Sequence, residues 1–183
     1  MKKCLIIYGS PRENGNTDRI LNYLKEEIVS KYYSHNSVYL RKINIIPCDG
    51  CDICSQSLNC KLKDDVDTIL KDIITCDLIL FASPVYFGTV TALAKAWIDR
   101  LQVFYKNKSI ITNHKKLIVV SVAAEKNKKV FDSFTVVFKY VESALNIKET
   151  KTLFVNGFYE KADIELLLCK INIKEYYDFV NEL

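Results

Sequence analysis

Lys3-Cys4-Leu5-Ile6-Ile7-Tyr8-Gly9-Ser10-Pro11 joins an unbroken apolar run to a sharp turn, and a helical pattern begins a few residues later. The run Cys4 to Tyr8 lacks the polar alternation of a half-exposed strand. It therefore predicts a strand covered on both faces, as in a parallel sheet. Gly9, Ser10 and Pro11 end it. Beyond the turn Ile20, Leu21, Leu24 and Ile28 recur at helical spacing over residues 16–30. The same exchange of strand and helix continues down the chain. Further strands are predicted at 37–43, 77–82, 116–122 and 150–155. A helix capped by Asp64 and Asp65 carries Val66, Ile69, Leu70 and Ile73 on one side. Others are predicted over 89–105 and 130–145, and 162–183 reads as mostly helical, with Ile164, Leu167 and Leu168 at helical spacing. Five strands alternating with helices predict an α/β fold of one domain over residues 1–183. Its core is a doubly wound five-stranded parallel sheet of order 2-1-3-4-5.

The composition fits a globular chain of that kind. Its 183 residues are 49% hydrophobic and 26% charged, enough for one full core. The net charge of +4 is spread along the chain rather than gathered into a basic block, which argues against a nucleic-acid partner. The apolar run after Lys2 and Lys3 stops too early for a signal sequence, and no stretch is long enough to span a membrane. Seven cysteines, an odd number, point to metal or redox use in a reducing cytoplasm rather than to structural disulfides.

In an open α/β sheet, ligands lie beyond the carboxyl ends of the strands near the point where the strand order reverses. After strand one comes Gly9-Ser10-Pro11-Arg12-Glu13-Asn14-Gly15-Asn16-Thr17. Hydroxyls, an arginine and a helix N-terminus in one loop suit a phosphate monoester; a plain capped turn is the alternative. The loop lacks the patterns of ATP and Rossmann-type dinucleotide sites. After strand three comes Ser83-Pro84-Val85-Tyr86-Phe87-Gly88-Thr89. Its adjacent aromatics and its glycine can wall a flat aromatic ligand; alternatively, the turn is hairpin-like and its aromatics fill the core.

These two loops, together with Lys95-Ala96-Trp97-Ile98-Asp99-Arg100, resemble the NAD(P)H-dependent FMN reductase family, and within it the iron–sulfur flavoprotein branch. The resemblance spans residues 2–122. It implies a flavodoxin-like fold, bound FMN, and transfer of electrons from a reduced nicotinamide to a flavin, quinone or similar acceptor. It also implies a homodimer or homotetramer. By motif, Ser10, Arg12, Asn16 and Thr17 would hold the FMN phosphate, and Pro84, Val85, Tyr86, Phe87 and Gly88 would line the ring. Family members often carry glycines after strand four, whereas this chain has Ala123 and Ala124 there. Their small side chains would still let backbone approach the ring, although fewer positive-φ conformations are open to them.

Cys48-x2-Cys51-x2-Cys54-x5-Cys60 places four thiols on one short loop. Four thiolates can hold one iron–sulfur cluster, and the spacing agrees with that of iron–sulfur flavoproteins, for which the resemblance implies a [4Fe–4S] cluster. Tetrahedral zinc also accepts four cysteines, and a metal-free structural or redox-active loop is a third reading. Cys4, Cys76 and Cys169 lie on apolar elements and read as buried hydrophobes. His35 and His114 read as solvated loop residues. No catalytic acid or base is assigned, because hydride transfer to a flavin needs none. Lys95 and Asp99 are spaced for an i,i+4 ion pair, and Trp97, Phe104 and Tyr105 read as subunit-interface aromatics. Two other functions are consistent with this sequence: an electron carrier between protein partners such as ferredoxin, and a binding module that has lost its flavin.

Overall fold

The computed structural model describes residues 1–158, 167–169 and 171–181. Among these, five strands form one parallel sheet: β1 (Lys3–Tyr8), β2 (Ser34–Tyr39), β3 (Leu78–Ala82), β4 (Lys115–Ala123) and β5 (Ile147–Asn156). Their order is β2-β1-β3-β4-β5, as expected, and Ile6 of β1 pairs with Ser37 on one side and Leu80 on the other. The longer described helices are α1 (Asn16–Leu24), α2 (Val66–Thr75), α3 (Ala92–Arg100), α4 (Gln102–Lys106), α5 (Asp132–Leu145) and α6 (Ile173–Asn181), and a single helical turn, Cys54–Ser57, lies between β2 and α2. Helix α1 continues through a π-helical stretch, Lys25–Val29, and a last turn, Ser30–Tyr32. No helix of the described residues is long and apolar enough to cross a membrane.

The period-two geometry of a strand sends neighbouring side chains to opposite faces. Leu5, Ile7, Ile79, Phe81, Leu117 and Val119 therefore bury themselves under α2, α3 and α5. Cys4, Ile6, Tyr8, Leu80, Ile118 and Val120 do so under α1 and α6. Both faces are covered, which is why these strands are apolar throughout.

Five expectations need correction. Strand two lies at Ser34–Tyr39, three residues before its expected start, and Leu40–Lys42 forms a 3₁₀ turn. As an edge strand it pairs through its backbone with β1 alone, so polar residues such as His35 and Asn36 are tolerated. His35 is thus an exposed strand residue rather than a loop residue. The helix expected over 89–105 breaks at Leu101 into α3 and α4. Trp97 and Phe104 are buried, Trp97 stacking on Phe81 with ring centroids 5.7 Å apart, so neither lies at the surface. Cys4 and Cys76 are buried as expected, but Cys169 is exposed. The position expected for Ile164 lies outside the described residues.

Candidate functional site

The loops after β1, β3 and β4 meet at the carboxyl edge of the sheet and are fastened to one another by hydroxyls. Thr91 donates its Oγ1–H to the Gly9 carbonyl at 2.6 Å, and the same oxygen caps α3 by accepting from Ala94 N at 3.2 Å. Thr91 N donates to Ser83 Oγ at 3.1 Å, and Ser121 Oγ donates to the Ser83 carbonyl at 2.8 Å. Gly9 sits hard against β3: its N–H reaches the Ala82 carbonyl at 2.7 Å, and a Cβ there would stand 2.8 Å from that oxygen. Only glycine fits so close an approach.

Of the expected phosphate residues, Ser10 and Thr17 are buried, Asn16 is half-buried and Arg12 is exposed. Ser10 Oγ accepts from Arg12 N at 3.1 Å, which curls the loop. Helix α1 opens on Gly15, which has no side chain to cap it, and the acidic side chain of its first turn, Asp18, is engaged by Arg41 and Asn14 N, so the first amides of the helix face the loop without a side-chain cap. Beneath it lies a pair not foreseen from sequence. Arg41 bridges Asp18 at 3.0 Å and also donates to the Ser10 carbonyl at 3.2 Å, while Asn14 N donates to Asp18 at 3.2 Å. Burial pushes the Asp18 carboxyl above its usual range, and Arg41 opposes that shift.

The loop after β3 is a two-residue hairpin turn. Tyr86 and Thr89 exchange backbone hydrogen bonds of 2.8 and 3.1 Å across Phe87 and Gly88. Both central residues have positive φ, +48° at Phe87 and +75° at Gly88. Glycine adopts this freely; phenylalanine does so at a cost of about 1–2 kcal/mol. The aromatics do not fill the core. Phe87 is fully exposed and Tyr86 just over a third exposed (37%), while Pro84 and Val85 are half-buried. Gly88 is tied through its carbonyl to the Ser133 hydroxyl at the start of α5.

After β4, Ala123 is buried and Ala124 half-buried. The loop they begin is braced by the end of β5, where Gly157 N donates to the Glu125 carbonyl at 3.1 Å and Phe158 N to Ala123 at 3.3 Å. The positive-φ glycine missing after β4 is found on this neighbouring strand, Gly157 at +79°.

The cysteine loop lies to one side, against α3 and α4. Cys48, Cys51, Cys54 and Cys60 all line one cavity of about 540 Å³, whose far wall includes Leu101, Tyr105 and Tyr140. All four are free thiols. Among the described residues no three His, Cys, Asp or Glu groups converge closely enough to hold a single metal ion; the thiols are distributed round the cavity instead. Burial and the neighbouring Cys60 push the Cys54 thiol up, and Lys61 with Cys51 hold the Asp49 carboxyl down at about 2.

Asp64 and Asp65, expected as helix caps, hold this region together. Asp65 accepts from Asn44 N at 2.8 Å. Asp64 accepts from Val66 N at 3.1 Å, as a cap would, but also from Ile46 N at 2.7 Å and from Arg100 Nη1 at 2.6 Å. Both side chains of that ion pair are shut off from solvent. Burial works against the Arg100 charge, yet the Asp64 hydrogen bond and the adjacent Cys60 raise its pKa above the ordinary value. By contrast, the foreseen Lys95–Asp99 pair forms at 2.6 Å on the surface.

The model of the NADPH-dependent FMN reductases matches residues 2–138. The chain belongs to this family. Among curated relatives, the iron-sulfur flavoprotein of Methanocaldococcus jannaschii is 38% identical over 98 residues, 54% of this chain and 51% of that protein. That of Methanosarcina thermophila is 30% identical over 121 residues, 66% of this chain and 63% of that one. The chain thus spans between half and two thirds of the length of these two relatives. Among solved structures, the NAD(P)H:quinone oxidoreductase from Methanothermobacter marburgensis superposes with a TM-score of 0.69 at 15% identity, covering 92% of this chain and 94% of that one. An FMN-dependent NADH-azoreductase from Bacillus anthracis, solved in complex with FMN, gives 0.64 at 13%, covering 98% and 99%. At such identities the superpositions show the flavodoxin-like fold. What sequence reasoning missed in this FMN reductase family member are the residues that fasten the loops: Arg41, Thr91 and the Asp64–Arg100 pair. Each belongs to one element and acts on another, so neither periodicity nor spacing signals it.

Proposed function

We propose that this protein is an FMN-dependent oxidoreductase that passes electrons from NADH or NADPH to a flavin, quinone or similar acceptor. The observation that carries this reading is the Thr91 hydroxyl, which ties the Gly9 turn leading to the uncapped α1 N-terminus to the segment that follows the outward Tyr86–Phe87 turn. These loops suit FMN, whose phosphate is anionic and whose flat ring has an apolar dimethylbenzene end and a polar pyrimidine edge. Ser10, Arg12, Asn16 and Thr17 hold the phosphate, their hydroxyls and the guanidinium supplying charge-assisted hydrogen bonds at the positive end of the helix. Pro84, Val85, Tyr86, Phe87 and Gly88 line the ring, and Ala123 and Ala124 close its far edge. Bound FMN accepts a hydride and returns electrons singly or in pairs. The protein binds and orients; no side chain is assigned as acid or base.

The cysteine cavity favours a second reading, an iron–sulfur flavoprotein that relays electrons between protein partners. Cys48, Cys51, Cys54 and Cys60 would hold a [4Fe–4S] cluster. Each iron of such a cluster takes one thiolate, so ligands distributed round a cavity suit it. Zinc instead draws all its thiolates to about 2.3 Å from one point. Exposed Phe87, Val136 and Tyr140 provide apolar surface for a homodimer or homotetramer.

Purification without oxygen, with absorption, iron and sulfide measured on one sample, tests both readings. Flavin bands that bleach with NADPH or NADH and return with a quinone support the oxidoreductase. A flavin-loaded protein that neither nicotinamide reduces, but that a ferredoxin-type donor reduces quickly, replaces it with the carrier.

A further inference from the structure

The cysteine loop is held at its neck. Ile46 stands two residues before Cys48, and Leu62 two residues after Cys60. Arg100 grips both: Nη1 donates to the Ile46 carbonyl at 2.9 Å and Nη2 to the Leu62 carbonyl at 3.1 Å. Asp64 completes the ring, taking Arg100 Nη1 at 2.6 Å and the Ile46 N–H at 2.7 Å. The middle of the loop has two further ties, from Asn107 Nδ2 to the Cys54 carbonyl at 2.5 Å and from Lys106 to Asp52 at 3.1 Å. Elsewhere the loop bonds mainly to itself, through Ser55, Ser57 and Asn59.

Arg100 has a second feature. It lines the cavity with the four cysteines, Cys60 adjoins it, and its Nε is buried without a hydrogen-bond partner. A buried N–H without an acceptor is costly. A guanidinium is also the side chain whose rigid fork can hold several acceptors in fixed geometry while its charge faces an anion. Four thiolates, alone or around a metal centre, concentrate negative charge in this cavity.

We infer that Arg100, clamped by Asp64, is the positioning residue of the thiolate site: it closes the loop's neck before any metal enters and supplies the positive charge the cysteines face. This rests on the proposal that Cys48, Cys51, Cys54 and Cys60 bind a metal centre. Arg100 itself touches no reacting atom in this assignment. Its work is to hold the two flanking backbone segments at a fixed separation, so that metal binding has to order only the span between them.

The test uses the full chain with Arg100→Lys and Asp64→Asn, and Lys95→Ala as a control on the exposed ion pair of the same helix. Two readouts are taken. Co²⁺, which must draw the loop thiolates inward from their places round the cavity to one point, is titrated into reduced, metal-free protein under anaerobic conditions and followed by thiolate-to-metal charge-transfer absorption. Alkylation of each cysteine is followed by mass spectrometry in the same metal-free protein. Arg100→Lys keeps the charge but loses the fork. It is expected to weaken Co²⁺ binding by about tenfold or more, the scale of changes in groups that orient metal ligands. It is also expected to speed alkylation of Cys54 and Cys60 while buried Cys4 and Cys76 stay protected. Asp64→Asn is expected to do the same to a smaller extent, and Lys95→Ala to match wild type.

Wild-type Co²⁺ affinity and wild-type Cys54 and Cys60 labelling in Arg100→Lys would overturn the inference. So would exposure of Cys4 and Cys76 together with the loop cysteines in both clasp variants, since Arg100 would then be a general core residue. If protein purified without oxygen contains no iron while the two readouts respond as expected, the cluster reading falls and the clasp stands.

Discussion

The loops at the carboxyl edge and the cysteine loop beside them are built on opposite plans. The first are fastened to the sheet from several directions: Thr91 and Ser121 reach across strands, and Arg41 reaches the Ser10 carbonyl from beyond β2. The second is a long excursion between β2 and α2 whose largely exposed middle bonds mostly to itself and whose neck is fastened by the buried Asp64–Arg100 pair. The difference teaches where ordering takes place. A site fixed by backbone and hydroxyl ties is shaped before its ligand arrives. A loop fixed only at its base leaves its ligands room to close on what they bind.

Replacement at the neck should give the largest effect. Arg100→Met leaves Asp64 buried without its counter-ion, and losses of that kind run to about 3–5 kcal/mol; urea unfolding of the full chain measures it. If the loss were below about 1 kcal/mol, within the range of exposed pairs, the neck would be no more than a surface contact. Next in size is Thr91→Val, which removes the hydroxyl joining the Gly9 loop to the start of α3. We expect a loss of about 1–2 kcal/mol and weaker FMN binding by fluorescence titration, with Co²⁺ binding at the cysteines unchanged. A variant that disturbed both sites equally would erase the distinction between them.

The amino end of the sheet, remote from both loops, supplies a reference. Tyr33 OH donates to the Val180 carbonyl at 2.9 Å, and burial pushes its pKa to about 12. The unfolded phenol titrates near about 10, so the folded state holds the proton more tightly. This stabilisation is complete below pH about 10 and is lost as pH rises from about 10 through about 12. Tyr33→Phe should cost about 1 kcal/mol at neutral pH and make the alkaline loss of thermal stability shallower, the remaining slope coming from Tyr8 and Tyr176, whose pKa values burial also raises, while Thr91→Val keeps the wild-type slope. The smallest effect is expected at Phe87→Gly. Relief of the positive φ should stabilise the flavin-free protein by about 0.5–1 kcal/mol, while loss of the exposed ring weakens FMN binding. Reduced stability here would mean that Phe87 packs in the fold rather than waiting for a ligand.

The parts legible in the sequence were those written in local pattern. Cys4 to Tyr8, Leu78 to Ala82 and Leu117 to Val120 are apolar without interruption because both faces of the sheet are covered, and that signal marks them as its central strands. The hydroxyl-rich turn before α1 and the aromatic turn after β3 were also visible. Strand two was misplaced because Ser34-His35-Asn36 carries no apolar alternation; only backbone pairing with β1 makes it a strand. Trp97 looked available for an interface because sequence cannot show that Phe81 lies opposite it. Asp64 was read as a cap because its partner stands 36 positions later in the chain, and a cap was the only role its neighbours revealed.

The central claim is that the carboxyl-edge crevice binds FMN by its phosphate as well as its ring. Titrating the flavin-free protein with FMN and with riboflavin, which has the ring but no phosphate, tests it directly. Charge-assisted hydrogen bonds at the start of α1 predict FMN affinity more than about tenfold above that of riboflavin, a gap of about 1.4 kcal/mol or greater, shrinking in Arg12→Ala. Equal affinity for the two flavins, or no binding of either, would contradict the account.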